Sequence, residues 1–164
     1  MNTKEFKKME KSHTNKLVEI AKETHGWDYG WSFDFMIEHL KFMKDYYESD
    51  EYVSDDSCAK ENLNVINKML YEYESYNELP EEEKKEIAKQ LDVEFDKIEN
   101  NIEFEDSKKE LDDILGEVIK VNVIYKNYPP EIQMEYYGLI NKAQEQHYIN
   151  FIDLLKDDFR KLWD

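Results

Sequence analysis

Glycine and proline are scarce in this chain, and their scarcity limits its fold more than any other feature of the sequence. Only 4 Gly and 3 Pro occur in 164 residues, whereas an all-β protein needs many tight turns of the kind that these residues form. Lys, Glu, Leu and Met, which favour helix, are spread throughout the chain. The sequence therefore predicts an all-α protein, a compact bundle of five to six helices that forms one domain over residues 1–164.

Apolar residues recur every three or four positions in six segments, which is the spacing of one buried helix face. The first three predicted helices run from about Thr3 to Thr24, from Asp28 to Tyr47 and from about Asp55 into the segment 62–76. The last three follow Pro80, Ser107 and Pro130, and the final helix, from about Glu131 to Leu162, is the longest. The β-branched run 121–125 also fits an extended segment at the end of the fifth helix.

Acidic residues outnumber basic ones, at 39 Asp plus Glu against 22 Lys plus Arg, and the formal charge is −17. Such a chain repels nucleic acid, so we expect no direct nucleic-acid binding and favour a basic protein surface as its partner. One cysteine, Cys58, excludes an internal disulfide. No apolar stretch has the length of a signal peptide or a membrane span, so the sequence predicts a cytoplasmic protein without a membrane partner.

Several motifs resemble those of small helical proteins encoded by bacteriophages. The resemblance rests on Trp27-Asp28 followed by SFDFMIEHLKFMKDYY, on Ala59-Lys60 with the helix 62–76, and on the C-terminal Trp163-Asp164. It covers the N-terminal half and about the last twenty residues, so that 81–128 has the character of an insertion. The resemblance implies a bacteriophage origin, and therefore the cytoplasm of a bacterial host. It also draws attention to Trp27, Asp28, Trp163 and Asp164. Trp27, Asp28, Trp31 and Trp163 are candidate binding residues, although Trp27 and Trp31 also suit the packed junction of two helices.

Two carboxylate doublets are candidate metal ligands, Glu83-x-x-Glu86 and Glu110-x-x-Asp113, each on one face of a predicted helix. Their oxygens could hold Mg²⁺ on a phosphate-bearing substrate. The stretches 82–87 and 110–115 are similar to the two metal motifs of the all-α nucleoside triphosphate pyrophosphohydrolases of the MazG type. However, those enzymes need further basic residues, and this chain has one arginine, Arg160. Mg²⁺ is thus expected only if the protein is such an enzyme, and otherwise no cofactor is expected.

The histidines show no metal-binding spacing. His13 and His147 fall on apolar helix faces, where a hydrogen-bonded core histidine is a better interpretation than a metal ligand.

Acidic residues and tyrosines occur together in two clusters. Carboxylates repeated along a helix can imitate a row of phosphates, while tyrosines supply rigid contact area. A solvated helix face with tyrosines at its rim is the simpler interpretation. The residues concerned are Tyr46, Asp50, Glu51, Tyr52, Asp55 and Asp56 in the first cluster, and Glu72 and Glu74 in the second.

The sequence thus favours a non-enzymatic, bacteriophage-encoded binding protein that inhibits a host protein, such as a defence nuclease, by nucleic-acid mimicry. Two alternatives remain at this point. One is a Mg²⁺-dependent nucleotide pyrophosphohydrolase, and the other is a homo-oligomer that sequesters a small signalling nucleotide.

Overall fold

The computed structural model describes residues 3–23, 30–49, 57–112 and 116–158. Within these ranges the chain is mostly helical, with one antiparallel β-hairpin and a long C-terminal helix, so the predicted fold class is confirmed. The elements in chain order are α1 (Thr3–Glu23), α2 (Gly30–Tyr47), α3 (Ser57–Asn77), α4 (Glu81–Gln90), α5 (Phe95–Glu99), β1 (Ile102–Asp112), β2 (Gly116–Tyr125) and α6 (Pro130–Asp158). None of the helices in the described ranges is long and apolar enough to cross a membrane.

The chain forms two compact units. Unit 1 comprises Met1–Glu74 and His147–Asp164, and unit 2 comprises Ser75–Gln146. Unit 2 contains the whole segment 81–128 that the sequence set apart as an insertion. The prediction of a single domain stays a prediction.

The core of unit 1 is formed by α2, α3 and the C-terminal part of α6. Its buried residues occur every three or four positions along α2 and α3, as the sequence predicted for amphipathic helices. Burying side chains of this size contributes about 1.5–3 kcal/mol each, so the cluster holds the three segments together. The buried members are Ile37, Leu40, Met43, Ile66, Met69, Leu70 and Phe151.

The core of unit 2 joins α4 and α5 to the N-terminal part of α6, with Leu79, Ile87, Ala88, Ile98, Tyr136 and Ile140 as its buried members. The helix predicted after Pro80 is interrupted after Gln90. Asp92 has a φ of 56°, and the N–H groups of Asp92 and Val93 donate to the carbonyls of Lys89 and Ala88. This pattern is a Schellman motif, which ends α4 and lets α5 begin in a new direction.

The predicted fifth helix is wrong, because residues 102–112 and 116–125 form the antiparallel strands β1 and β2 instead. The register pairs Ile102 with Tyr125 and Asp112 with Gly116, and it shifts between Glu105 and Lys108. The spacing of Leu111, Ile114, Leu115 and Val118 is compatible with a helix over this short length. β2, however, is rich in β-branched residues, which pack better on a pleated strand.

Asn101 closes the base of the hairpin. Its side-chain oxygen accepts the N–H groups of Asn127 and Tyr128 at 2.7 and 2.8 Å, and its amide nitrogen donates to the Tyr128 carbonyl at 2.9 Å. The Asn101 carbonyl also accepts the Lys126 N–H at 2.9 Å. Asn101 is fully buried, so each of these bonds satisfies a polar group that water does not reach.

Candidate functional site

A buried histidine–carboxylate pair in unit 1 is the centre of the candidate site. His147 lies on α6 and is 9% exposed, and its Nδ1 is 2.7 Å from Oε2 of Glu72 on α3. The Asn150 amide donates to the same carboxylate oxygen at 3.1 Å. His147 and Asn150 are three residues apart on a helix and therefore share one face. The prediction of a hydrogen-bonded core histidine is confirmed for His147.

Aromatic contact completes the surroundings of the imidazole. The Tyr71 ring meets the His147 ring edge to face, with 5.7 Å between the two centroids. An ionised carboxylate only accepts hydrogen bonds, so Nδ1 of His147 is the donor in its contact with Glu72. The pair thus fixes the orientation of the imidazole and joins α3 to the C-terminal part of α6.

A cavity of about 390 Å³ opens beside this pair. Four carboxylates and one lysine line it, so its charge is strongly negative, and it suits an ammonium or guanidinium group better than an anion. One of the carboxylates, Asp153, also binds Lys156 at 2.9 Å. The lining residues are Lys68, Glu72, Asn150, Asp153, Leu154, Asp157 and Asp158.

A second polar contact in unit 1 joins α1 to α2. Nδ1 of His39 lies 3.4 Å from Nε2 of His13, and Phe42 stacks on the His13 ring with 4.4 Å between centroids. Lys16 and Glu38 form an ion pair at 3.1 Å in the same interface. Burial lowers the pKa of His39, and the charge of the neighbouring His13 lowers it further.

The structure places three of the predicted binding residues, Tyr46, Glu72 and Glu74. Glu74 is exposed on α3, and Tyr46 is half-buried on α2. The Glu72 side chain is 18% exposed and binds His147, so the expectation that Glu72 lies on a freely solvated face is wrong. Trp31 lies in the first turn of α2, where the structure describes its backbone. The remaining predicted binding residues, Trp27, Asp28, Asp50, Glu51, Tyr52, Asp55, Asp56 and Trp163, lie outside the described residues.

The two carboxylate doublets do not form the predicted pair of helical motifs. Glu83 and Glu86 lie on α4 and line a cavity of about 290 Å³ whose wall includes Ile87 and Leu139. Glu110 lies on strand β1, and Asp113 lies outside the described residues. Because Glu110 lies on a strand and not on a helix, the second doublet lacks its helical basis. In the described ranges, no three His, Cys, Asp or Glu side chains are grouped so that they could hold a metal ion.

Sequence reasoning named Glu72 and His147 for separate reasons and did not connect them. The two residues are 75 positions apart, and no local pattern pairs them. Asn150 carried a weak signal, since it follows His147 by three positions and therefore lies near the same helix face.

No protein-family model, curated protein or solved structure matches this chain.

Proposed function

We propose that this protein is a non-enzymatic binding protein that docks through its acidic surface on a basic surface of a partner protein. The observation that carries the proposal is the cavity beside the His147–Glu72 pair, where four carboxylates meet one lysine. A lysine or arginine side chain of a partner would find several acceptors there. Hydrogen bonds between ionised groups are about twice as strong as neutral ones.

A second exposed side of α3 supports the same proposal. Tyr71 is 49% exposed, and Glu74 follows it by three residues on α3, so the two share one side of the helix. An exposed tyrosine beside a carboxylate is a favourable contact for arginine, because a guanidinium group can stack on the ring and bind the acid. The net charge of −17 would add long-range attraction to a basic partner.

The resemblance to bacteriophage proteins extends the proposal to origin and role. A bacteriophage protein of this kind would act in the cytoplasm of its host, and its partner would be a host protein. A host nuclease that guards against bacteriophages has a basic channel for nucleic acid, and an acidic protein seated in that channel would inhibit it. The carboxylates would then take the place of phosphates.

The experiment that tests the proposal is capture of partners from a bacterial lysate at low and high salt. We expect capture that weakens as salt rises, because salt screens charges beyond about 8 Å at physiological ionic strength. A DNA duplex should displace the captured partner if the surface imitates nucleic acid. Capture that is indifferent to salt would contradict the proposal.

Matched variants locate the contact. The triple variant Asp153→Asn, Asp157→Asn and Asp158→Asn removes three negative charges that line the cavity and should weaken capture about ten-fold or more. Its control carries Glu61→Gln, Glu135→Gln and Glu145→Gln, which remove the same charge at exposed positions that do not line the cavity. Equal weakening in both variants would show that total charge, and not this site, determines binding.

A further inference from the structure

One face of the hairpin base is apolar and open to solvent. Phe104 on β1 lies opposite Val123 on β2, and Ile102 lies opposite Tyr125. Residues two apart in a strand share a face, so these four side chains form one row. Phe104 is 69% exposed, and Val123 and Tyr125 are also exposed. Exposed apolar residues arranged in a row mark an interaction surface more reliably than scattered ones do.

The other face of the same segment is acidic. Glu103 and Glu105 are both exposed and lie opposite Ile124 and Asn122. Glu103 also binds Lys126 at 3.0 Å. Seven acids and three lysines occur in residues 102–125, so the formal charge of the hairpin is 3 − 7 = −4. The hairpin base therefore presents two carboxylates on one face, with Ile124 and Asn122 opposite them, and a row of apolar side chains on the other face.

The hairpin also has strand edges that can accept another strand. In the described part of the chain the sheet consists of β1 and β2 alone, so each strand pairs along one edge. The other edge of a strand presents N–H and C=O groups that can pair with an extended chain. A two-stranded hairpin is marginally stable by itself, and a third strand adds both hydrogen bonds and apolar contact.

We infer that the hairpin base binds an extended segment of a partner protein in which basic and apolar residues alternate. An added strand places successive side chains on opposite faces. Its basic residues would then meet Glu103 and Glu105, and its apolar residues would extend the row of Phe104 and Val123. The inference rests on the proposed function because it takes the partner to be basic. A second copy of this chain is a poor occupant, since its hairpin would bring the same negative charge to the contact.

The test uses synthetic peptides of about nine residues, the length that a long strand spans. One peptide alternates Lys and Val, and a second has the same composition with the lysines and valines in separate blocks. A third keeps the alternation but carries N-methyl groups on every second residue, which removes the donors that pair with a strand edge. We expect the alternating peptide to bind at least about ten-fold more tightly than either of the others, as judged by fluorescence anisotropy.

Variants of the hairpin sharpen the test. Phe104→Ser with Val123→Thr should weaken binding of the alternating peptide about ten-fold, because it removes the apolar row. Met134→Ser is the control, since Met134 is an exposed apolar residue of the same unit, 72% exposed, that lies on α6. Glu105→Lys should weaken binding and reduce its salt dependence, whereas Glu135→Lys should not. These positions are exposed, so we expect little loss of stability, which circular dichroism would check.

Backbone pairing has its own readout. Hydrogen exchange of the amides at 102–105 and 122–125 should slow when the alternating peptide is bound, since new inter-strand bonds protect them. Equal affinity for the alternating and block peptides would overturn the inference, but it would leave the proposed function standing because both peptides are basic. A dimer seen by sedimentation and weakened by Phe104→Ser would also overturn it and assign the surface to a second copy. Loss of salt-sensitive capture from lysate would instead contradict the proposed function.

Discussion

Asp92 is the residue whose backbone conformation is most costly in the described chain. Its φ of 56° lies in the left-handed region, which costs an ordinary L-residue about 1–2 kcal/mol and glycine little. The position after a helix C-cap is where glycine is most common. Asp92 is nevertheless tolerated, because aspartate is one of the few residues that visit this region.

Replacing this aspartate by glycine should stabilise the protein. We expect Asp92→Gly to raise the free energy of unfolding by about 1 kcal/mol, which corresponds to roughly 2–4 °C in Tm for a chain of this size. Lys89→Gly is the control, because it introduces glycine in the last turn of α4, where it should cost about 1 kcal/mol. A loss of stability in both variants would mean that the Asp92 side chain contributes more than its backbone strain costs.

Two adjacent tyrosines of α6 differ sharply in their surroundings. The Tyr136 ring is fully buried, and its hydroxyl donates to Oε1 of Glu99 at 2.6 Å. Burial raises the pKa of Tyr136 far above its usual value, and the hydrogen bond with Glu99 raises it further. Tyr137 is exposed. The Tyr136 hydroxyl is therefore part of the packed structure, whereas the side chain of the next residue, Tyr137, is exposed to solvent.

Removing these two hydroxyls should have unequal effects. We expect Tyr136→Phe to lower the free energy of unfolding by about 1.5–3 kcal/mol, the range for a hydrogen bond to a charged group. Tyr137→Phe removes the same atom from a neighbouring residue and should change stability by less than about 0.5 kcal/mol. Urea unfolding of both variants measures the difference. Similar values for the two would show that the Tyr136–Glu99 bond contributes nothing in solution.

At the level of elements, the contact between α1 and α2 should make stability depend on pH. The pKa of His39 is lowered in the folded state, chiefly by burial and then by His13. The unfolded chain, with a histidine pKa near 6.5, then binds more protons than the folded one just below that pH. The contribution of neutral His39 to the free energy of unfolding is therefore fully present above about pH 6.5. It is lost as the pH falls toward the pKa of His39 in the folded state. Lys16, Glu38, Lys41 and Asp45 are the other charged groups that line the small cavity at this contact.

Histidine variants isolate this effect from the other titrating groups. We expect Tm to fall between about pH 7 and pH 5.5. For one proton, the free energy of unfolding changes by at most about 1.4 kcal/mol per pH unit. His39→Gln should abolish this component of the slope. His13→Gln should reduce it only partly, because it removes the neighbouring charge but leaves His39 buried. A slope that is identical in the wild type and in His39→Gln would contradict the prediction.

The helices could be predicted from the sequence because their signals are local. α1, α2 and α3 begin and end within a few residues of the predicted bounds, and Tyr136, Ile140, His147 and Phe151 along one side of α6 are buried. The hairpin could not be predicted with the same spacing argument. Leu111, Ile114, Leu115 and Val118 satisfy a helical period over two turns, and propensity alone does not decide so short a segment. The β-branched residues in 121–125 favour a strand, and they were a better guide to this segment than its helical spacing.

The candidate site was less predictable, because it depends on contacts between distant parts of the chain. The sequence identified His147 as a core histidine but could not name Glu72 as its partner. Likewise, Asn101 is an ordinary polar residue in the sequence, yet it is fully buried and forms four hydrogen bonds at the base of the hairpin, with distances of 2.7–2.9 Å. Such roles follow from tertiary packing, which no local period encodes.

At the scale of the whole molecule, charge is unevenly distributed along the chain. The segment from Met1 to Lys22 contains six Lys and three Glu and carries a charge of +3. Since the net charge is −17, the remaining residues carry −17 − 3 = −20. In the described residues most ion pairs are local contacts on exposed faces, such as Lys44–Glu48 and Lys89–Glu86. Pairs of this kind contribute about 0–1 kcal/mol each. Repulsion among the excess carboxylates is therefore the larger electrostatic effect on the folded state.

Salt should accordingly stabilise the protein. A compact molecule with a charge of −17 repels itself more than its unfolded chain does, and raising the salt from about 0.01 to 0.1 M shortens the Debye length from about 30 to 10 Å. We expect Tm to rise by several degrees over this range, since about 1 kcal/mol shifts Tm by roughly 2–4 °C.

Charge variants at exposed positions provide the control for this last prediction. Glu61→Gln with Glu135→Gln and Glu145→Gln lowers the net charge from −17 to −14, as −17 + 3 = −14, and should reduce the rise in Tm with salt. Lys4→Gln with Lys7→Gln and Lys8→Gln changes it to −20, as −17 − 3 = −20, and should enlarge the rise. The two triple variants alter exposed side chains alone, so packing is unchanged and the comparison reports on electrostatics. If Tm fell as salt rose, attraction within ion pairs would outweigh repulsion among the excess carboxylates. Those carboxylates would then have to lie far enough apart on the surface for water to screen their repulsion.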